Sequence, residues 1–408
     1  MIKQIKSKHA TPSRRRFLGQ AGAAASLAVA SQFVPTRFAI GAKAPVRLGV
    51  MLPYTGVYAK LGENITDALL MRLAEAGDKL GGRDVEVIRV DSEAAPPKAV
   101  DNATKLVRGE KVDFIVGPVH SGVGMAMTKV MKKAPKTIMV VPNAGADQLT
   151  GAACAPNIFR TSFSNWQTGF PMGAELVKRG HKRVVTMSWN YGAGKQIVGG
   201  FIDGFKAAGG SDPIEQIFIE FGNVEFQAHL TKIASLNPDA VYVFFAGGGA
   251  VKYVKDYDAA IDRSKIPLYG TGFLTEGTTA AQGAAAEGIV TAMHWADTLD
   301  TPVNRAFMGN FKKATGRAAD VYGVQGYDTA SLLLQAMAAV GGDTGATADI
   351  INAMENTNWV DSPRGAWKMS KNHNPIQDFY LRRVEGGKNV ILGVAAKALE
   401  DPAQGCKL

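Results

Sequence analysis

Two adjacent residues, His120 and Ser121, are of types that could do chemistry together. A histidine beside a serine suggests a base and a nucleophile, the pair that acyl transfer requires. The same residues follow an apolar run over residues 112–116 and precede a Met/Ala-rich stretch typical of a helix. A serine at a helix start suggests a different chemistry, in which its hydroxyl and free backbone N–H groups hold a ligand.

Nothing else in the sequence completes a catalytic site around these two residues. Adjacent side chains entering a helix point in different directions, so we do not expect His120 and Ser121 to meet. The sequence lacks the motifs G-x-S-x-G and H-E-x-x-H. None of its six histidines lies four residues from another, which excludes a helical metal pair. We therefore predict that the protein is not an enzyme and has no metal site.

Two glycine-rich stretches resemble nucleotide-binding loops only in part. The stretch at residues 192–195 ends in lysine, but a phosphate loop needs glycine at Trp189 and serine or threonine at Gln196. The stretch at residues 247–249 has Lys252 where the third glycine of a dinucleotide fingerprint belongs. We therefore predict no cofactor.

The positive charge of the chain is concentrated at its N-terminus. The formal net charge is +10, but residues 1–44 hold eight Lys and Arg and no acidic residue. The remainder, with 38 basic and 36 acidic residues, is nearly neutral. This distribution argues against a nucleic-acid surface.

The N-terminal segment has the layout of an export signal. Basic residues in S-R-R-R-F-L, from Ser13 to Leu18, precede a short, weakly apolar run over residues 21–30 and then small residues. The pattern is similar to signals of the twin-arginine type. We predict cleavage near residue 44, although residues 39–42 also fit a cleavage site, and a disordered basic tail is the alternative.

The two cysteines, Cys154 and Cys406, are too far apart in sequence for a metal site of the CxxC type. In an oxidising compartment they are expected to form one disulfide, which would join the C-terminal tail to the first third of the chain. Two unrelated thiols are the alternative.

Short apolar runs alternate with helical patterns along most of the chain. From residue 46 to residue 141 the order is strand, helix, strand, helix, strand, helix, strand, and a similar unit follows from residue 167 to residue 269. This alternation predicts an α/β fold with parallel sheets covered by helices. The last third mixes helices with strands that are partly antiparallel.

The loops after the strands of the first unit are rich in small polar residues. Gly117 to Gly122 follows its third strand, and Asn143 to Ala146 its fourth. Ligands of open α/β sheets bind outside the carboxyl ends of the strands, where helix N-termini favour anions. We predict that Ser121 is a helix N-cap that also serves an anionic ligand; the alternative is that Ser121 only caps the helix and Asn143 only makes a turn.

The corresponding loops of the second unit are aromatic and glycine-rich. They include Trp189 to Gly192, Phe244 to Gly248 and Gly270 to Phe273. A polar edge facing an aromatic edge makes a cleft suited to an acid with an apolar body. Strand alternation lets one of Phe244 and Phe245 face that cleft, and we expect it to be Phe245.

In order and spacing, several of these segments resemble the branched-chain amino acid (Leu/Ile/Val-binding) family of periplasmic binding proteins, which serve ABC importers. The matching segments are V-M-L-P to Gly56 at residues 50–56, V-G-P at 116–118 before Ser121, V-P-N at 141–143, F-R-T at 159–161, Tyr191-Gly192, and Q-G-Y-D at 325–328.

The resemblance implies a type I two-lobed fold, with three crossovers at the hinge and the ligand trapped between the lobes. Residues 45–164 with about 293–365 would form lobe 1, residues 165–292 with about 366–396 lobe 2, and residues 397–408 a C-terminal tail. It also implies a periplasmic location, a membrane permease as partner, and a protein that acts as a monomer.

By position, the carboxylate-binding serine of the family falls on Ser121, and its tyrosine of the second lobe on Tyr191. The ligand contacts that the family makes from the next loop correspond to Asn143, Ala144 and Gly145. The remaining residues expected around the ligand are His120, Tyr58, Leu61, Trp166, Phe245, Gly247, Gly272 and Phe273.

One departure from the family bears on the ligand. Amino-acid binders carry an acid for the ligand ammonium at the place where this chain has Thr271 to Phe273, and no acid follows before Glu276. A buried ammonium without a partner costs several kcal/mol. We therefore expect a small aromatic or hydrophobic carboxylate; a hydrophobic amino acid is the alternative, and a sensor domain or an enzyme is less favoured.

Overall fold

The structure, a computed structural model, describes residues 43–359 and 361–408. The export signal predicted for residues 1–44 lies outside the described residues except for its last two positions. None of the helices in the described ranges is long and apolar enough to cross a membrane.

The first sheet has six strands and is parallel except at one edge. Its strands are β1 (Val46–Leu52), β2 (Lys79–Leu80), β3 (Arg83–Asp91), β4 (Phe114–Val116), β5 (Ile138–Val141) and β6 (Ile158–Arg160). They lie in the order β2-β3-β1-β4-β5-β6, and only β2 pairs antiparallel. The short strand β6 was not among the strands that the sequence pattern predicts.

Helices cover both faces of this sheet because its strands are apolar on both sides. They are α1 (Ala59–Glu75), α2 (Pro96–Thr104), α3 (Ser121–Met131), α9 (Pro302–Thr315), α10 (Val321–Ala339) and α11 (Thr347–Glu355). Along β1, Leu48 and Val50 face the cluster that holds α1, whereas Met51 faces the cluster of α2 and α3. This alternation is the period-two geometry of a strand.

The second sheet has nine strands, parallel in its first half and antiparallel in its second. They are β7 (Val184–Trp189), β8 (Glu215–Ile219), β9 (Ala240–Phe244), β10 (Leu268–Thr271), β11 (Val290–Met293), β12 (Asn358–Trp359), β13 (Trp367–Met369), β14 (Pro375–Glu385) and β15 (Lys388–Leu399). Their order is β12-β13-β14-β11-β10-β9-β7-β8, and β15 pairs with β14. The accompanying helices are α4 (Asn165–Lys178), α5 (Gly192–Ala207), α6 (Gln227–Leu236), α7 (Gly247–Ala260) and the short α8 (Thr279–Gln282).

The chain passes between the two sheets three times. It leaves the first sheet after β6, returns after β11 to place α10 against α1, and leaves again before β12. The strand β12 belongs to the second sheet, although it falls in the segment 293–365 assigned to lobe 1 from the sequence. The lobe boundaries remain predictions.

The C-terminal tail returns to the first sheet. A disulfide joins Cys154 to Cys406, with their Cα atoms 5.7 Å apart. Nearby, the buried carboxylate of Asp401 lies 3.7 Å from the buried guanidinium of Arg160. Both links fasten the tail beside the loop that follows β5.

Candidate functional site

A cavity lies between the loops that follow the strands of the two sheets. Every side chain of its wall is uncharged. The wall consists of Tyr58, Leu61, Val119, Ser121, Asn143, Gly145, Phe163, Asn165, Tyr191, Ala193, Ile197, Phe244, Ala246, Phe273 and Tyr322. The cavity therefore combines amide and hydroxyl groups with aromatic rings and has no charged side chain of its own.

Six helices begin at this cavity. Ser121 and Asn165 are the first residues of α3 and α4, Ala193 and Tyr322 are the second residues of α5 and α10, and Tyr58 and Ala246 immediately precede α1 and α7. The N-terminus of a helix carries a partial positive charge and unpaired N–H groups. Their convergence makes an uncharged cavity electrostatically favourable for an anion.

The N-cap of α3 is His120, and the prediction that Ser121 caps this helix is wrong. The Nδ1 atom of His120 accepts from the backbone N–H groups of Gly122 at 3.1 Å and Val123 at 3.4 Å. The ring nitrogen of His120 reaches the N–H groups two and three residues further along the chain, as the oxygen of an N-cap serine would. Ser121 becomes the first helical residue, and its hydroxyl is free to line the cavity.

His120 is buried and does not line the cavity. Its ring stacks on Tyr191 at 4.7 Å between centroids and meets the edge of Phe221 at the same distance. Burial lowers the pKa of His120 to about 4. The ring is therefore neutral near pH 7, and because Nδ1 accepts hydrogen bonds, its proton lies on Nε2. With Nδ1 occupied by the helix, His120 cannot act as a base for Ser121.

The hydroxyl of Ser121 is held by Asn165, which the sequence analysis did not identify. Asn165 Nδ2 donates to Ser121 Oγ at 3.2 Å and to Gln196 Oε1 at 2.7 Å. Gln196 Oε1 also accepts from the backbone N–H of Asp147 at 3.1 Å. Since Ser121 Oγ accepts from Asn165, its own proton remains available to an acceptor in the cavity.

The space beside Gly145 is filled by two neighbouring side chains. A Cβ atom at this position would lie 2.3 Å from Asn165 Oδ1 and 2.6 Å from the ring of Phe163. The backbone N–H of Asn165 also donates to the carbonyl of Gly145 at 2.6 Å. The amide of Asn165 and the ring of Phe163 therefore occupy the space that a side chain at residue 145 would fill.

Asn143 lines the cavity from the loop after β5. Its Nδ2 donates to Gln325 Oε1 on α10 at 2.7 Å, which leaves its second N–H free. Ala144, predicted as a contact, lies behind this wall. Its carbonyl and that of Ala146 accept from the buried Arg160 guanidinium at 3.4 and 3.0 Å, so Arg160 sets the shape of the loop.

Tyr191 lines the cavity from the second sheet and pairs with Tyr58 from the first. Their hydroxyl oxygens are 2.7 Å apart. Burial raises the pKa of both groups, so both stay protonated. One hydroxyl donates to the other, and the pair keeps one further O–H for an acceptor.

Phe244, and not Phe245, faces the cavity, so the expected orientation of this pair is wrong. Phe244 lies 5.9 Å from Phe273 and 6.3 Å from Tyr191 between ring centroids. Phe245 packs in the core against Trp189 at 5.2 Å and Tyr253 at 4.6 Å. The strand β9 ends at Phe244, and strand alternation alone could not tell which of the two faces is the core.

Three other predicted residues lie outside the cavity wall. Trp166 donates from Nε1 to Asp203 at 2.9 Å, in a groove at the entrance to α4. Gly247 meets the opposite sheet, where a Cβ atom would lie 2.5 Å from the carbonyl of Val57. The carbonyl of Gly272 accepts from Arg382 at 3.1 Å, away from the cavity. Tyr58, Leu61 and Phe273 line the wall as predicted.

Glu276, the first acid after the strand β10, is already paired. Its Oε2 atom accepts from Arg382 Nη1 and its Oε1 atom from the backbone N–H of Val321, both at 2.7 Å. Burial raises its pKa to about 7, against the opposing charge of Arg382. Glu276 does not line the cavity and offers no free carboxylate to a ligand ammonium.

Several residues of the wall were missed because their helices begin earlier than predicted. Helical spacing in the sequence predicts helices that begin at Lys195 and Gln325, whereas α5 begins at Gly192 and α10 at Val321. Asp320 caps α10 through Gly323, and Ser164 forms a capping box with Gln167 at the start of α4. The sequence signals D-x-x-G and S-x-x-Q could have located Tyr322 and Asn165. No such signal points to Phe163 or Ile197.

Comparisons with known proteins agree with this architecture. A family model described as periplasmic binding protein matches residues 45–389. A Leu/Ile/Val-binding protein homologue of Brucella melitensis is 31% identical, over 83% of this chain and 87% of the relative.

Solved structures include close relatives. A solute-binding protein of an ABC transporter from R. palustris, in complex with benzoate, is 48% identical, with a TM-score of 0.86 over 90% of this chain and all of the other. Another from Rhodopseudomonas palustris BisB5, in complex with 3,4-dihydroxybenzoic acid, is 29% identical, with a TM-score of 0.82 over 88% and 99% of the chains.

The likeness in fold to the benzoate-bound protein covers 90% of this chain. The predicted α/β type I fold is thereby confirmed, as is the resemblance on which it rested. Because the family model covers most of its length, the chain belongs to the periplasmic binding protein family.

Proposed function

We propose that this protein is the substrate-binding component of an ABC importer and that it captures a small aromatic carboxylate between its two lobes. The observation that carries this proposal is the character of the cavity. It is uncharged and rich in hydrogen-bond donors at the helix N-termini, and elsewhere it is lined by aromatic rings. Such a cavity suits an anion at one end and a ring at the other.

We place the carboxylate of the ligand at the end of the cavity that Ser121 lines. The Ser121 hydroxyl, the second N–H of Asn143 and the hydroxyl pair of Tyr58 and Tyr191 are donors with a proton to spare. Donors fixed in place before binding hold an anion without a cationic side chain, because the helix N-termini supply the positive potential.

We place the aromatic ring of the ligand against the side chains of Phe163, Phe244 and Phe273. These rings approach one another edge-on or tilted, with Phe273 5.1 Å from Phe163 and 5.9 Å from Phe244. Aromatic side chains favour such arrangements with a further ring. The relatives crystallised with benzoate and with 3,4-dihydroxybenzoic acid support this ligand class.

A hydrophobic amino acid is the second candidate, since the Brucella relative is named for leucine, isoleucine and valine. Its ammonium would need an acidic partner, and the cavity wall within the described residues includes none. Glu276, the first acid after β10, is paired with Arg382. A buried ammonium without a partner costs several kcal/mol, which favours the aromatic acid.

The proposal includes export to the periplasm by the N-terminal signal, action as a monomer, delivery to a membrane permease, and no chemical change of the ligand. Family membership supports the location and the permease. The position of His120 supports a non-catalytic role, since its acceptor nitrogen caps α3.

A ligand panel tests this function. Purified protein, stripped of ligand by partial unfolding and refolding, is heated with benzoate, 4-hydroxybenzoate, cinnamate, phenylpyruvate or leucine, and each mixture is analysed for products. We expect an aromatic acid to raise the melting temperature and to be recovered unchanged. Stabilisation by leucine alone contradicts the ligand class, and formation of a product contradicts the role in binding.

A further inference from the structure

Tyr322 has a feature that no other polar side chain of the cavity wall shares. Its hydroxyl has no hydrogen-bond partner among the described residues, although the side chain is only 1% exposed. The remaining polar side chains of the wall find partners within the protein: Tyr58 with Tyr191, Ser121 with Asn165, Asn143 with Gln325, and Asn165 with Gln196. A buried hydroxyl without a partner is unfavourable, so this position calls for an acceptor that the protein does not supply.

The ring of Tyr322 is fixed in place by its surroundings. Tyr322 is the second residue of α10, whose N-terminus is capped by Asp320 through Gly323 at 2.8 Å. Its ring stacks on Phe273 with centroids 6.1 Å apart. Tyr322 is therefore held at the cavity wall by a capped helix.

The acceptor expected beside Tyr322 is a neutral oxygen. Burial, with Asp320 and Glu276 nearby, raises the pKa of Tyr322, so the group remains an O–H donor. The two carboxyl groups belong to the same end of the cavity, since Glu276 accepts from Val321 and Asp320 precedes it. Although Glu276 is paired with Arg382, a neutral hydroxyl oxygen suits this position beside Asp320 better than a further negative charge does.

An aromatic row separates this end from the Ser121 end. It runs from Tyr191 through Phe244 and Phe273 to Tyr322, with successive centroid distances of 6.3, 5.9 and 6.1 Å. Tyr191 adjoins Gly192, where a Cβ atom would lie 3.8 Å from that of Ser121. A ring lying along this row would have its carboxylate near Ser121 and its far edge near Tyr322.

We propose that the Tyr322 hydroxyl donates a hydrogen bond to a ring hydroxyl of the bound acid, so that the protein selects aromatic acids hydroxylated away from the carboxylate. This inference rests on the proposed function and narrows its ligand class to acids of the 3- or 4-hydroxybenzoate type. Benzoate itself fills the same site but leaves Tyr322 without an acceptor.

The test compares Tyr322→Phe with the natural protein by calorimetric titration of benzoate, 3-hydroxybenzoate and 4-hydroxybenzoate. The natural protein should bind at least one hydroxybenzoate about fivefold or more tightly than benzoate. Tyr322→Phe should abolish that preference and leave benzoate affinity within about twofold. Tyr253→Phe is the matched control, because it also removes a buried, unpartnered hydroxyl but lies outside the cavity wall, and it should keep the preference.

Two results overturn this inference while leaving the proposed function intact. Equal loss of affinity for benzoate and the hydroxybenzoates in Tyr322→Phe would mean that Tyr322 contacts the carboxylate. Unchanged affinities for all three acids would mean that Tyr322 contacts none of them. If the natural protein binds none of the three acids, the proposed function itself fails. Melting curves of both variants establish that they are folded.

Discussion

The hydroxyl of Ser121 accepts a hydrogen bond from Asn165 and so keeps its own proton for an acceptor in the cavity. We expect Ser121→Ala to weaken binding of an aromatic carboxylate by about 10- to 100-fold, because a hydrogen bond to a charged group contributes roughly 1.5–3 kcal/mol. Calorimetric titration with benzoate measures the change. Ser235→Ala, an exposed serine on α6, is the control and should leave the affinity unaltered. An unaltered affinity in Ser121→Ala would remove Ser121 from the site.

The neutral, buried ring of His120 predicts a pH dependence of folding. The unfolded chain has an ordinary histidine pKa of about 6.5, whereas burial lowers that of folded His120 to about 4. On acidification the unfolded state takes up the proton first. The contribution of His120 to the free energy of unfolding is therefore intact above about pH 6.5 and is lost progressively as the pH falls towards 4.

Comparison with His120→Asn isolates this effect, since asparagine is a good N-cap that does not titrate. Between pH 7.5 and pH 5, the free energy of unfolding of the natural protein should fall by about 2 kcal/mol more than that of the variant. Urea unfolding at both pH values measures the difference. Other buried titratable groups, such as Glu276 and His294, are present in both proteins, so their contributions to the pH dependence cancel in the comparison. Parallel pH profiles would show that His120 is not held neutral.

At the scale of elements, α5 joins the residues around the cavity to the loop that follows β5. Gln196 on α5 accepts from Asn165 and from the Asp147 backbone, and its Nε2 atom donates to Gln148 Oε1 at 2.5 Å. Asp147 and Gln148 belong to the loop after β5, so these bonds join α5 to the first sheet. Because Asn165 also holds Ser121, closure and ligand contact share one hydrogen-bond network.

We expect Gln196→Ala to weaken ligand binding by about 5- to 10-fold although Gln196 does not line the cavity. Bonds that join the two lobes break when the lobes separate, so their removal shifts the population towards the open form, and the apparent affinity falls by that fraction. Titration with benzoate measures the effect, and Lys195→Ala, the exposed neighbour on α5, serves as the control. Equal affinities for the two variants would contradict the role of Gln196.

The elements themselves were largely predictable, but their first residues were not. Apolar runs in the sequence predict β1, β4 and β5, in which nearly every residue is buried, and also β3, which is partly exposed. The start of α5 was missed because Gly192-Ala193-Gly194 has poor helix propensity, which packing at the cavity overrides. Ligand sites in such folds lie at helix starts. An error of three or four residues in the predicted start of a helix therefore leaves Ala193 and Tyr322 out of the predicted site.

At the scale of the whole molecule, the sequence pattern predicts parallel sheets but not how the chain moves between them. The three passages and the antiparallel half of the second sheet depend on contacts such as that of α10 with α1, far apart in sequence. The resemblance to a family supplied that topology. It also supplied Tyr191 and agreed with the loop pattern on Ser121, whereas the roles of Asn165 and Phe163 follow from the space beside Gly145.

The central claim is that the closed cavity holds an aromatic acid and has no place for an ammonium group. Phenylacetate and phenylglycine test it most directly, because they differ only in the amino group. In calorimetric titrations of the ligand-free protein at pH 7.5, phenylacetate should bind and phenylglycine should bind at least about 100-fold more weakly, since its buried ammonium lacks a partner. Tighter binding of phenylglycine than of phenylacetate would contradict the account.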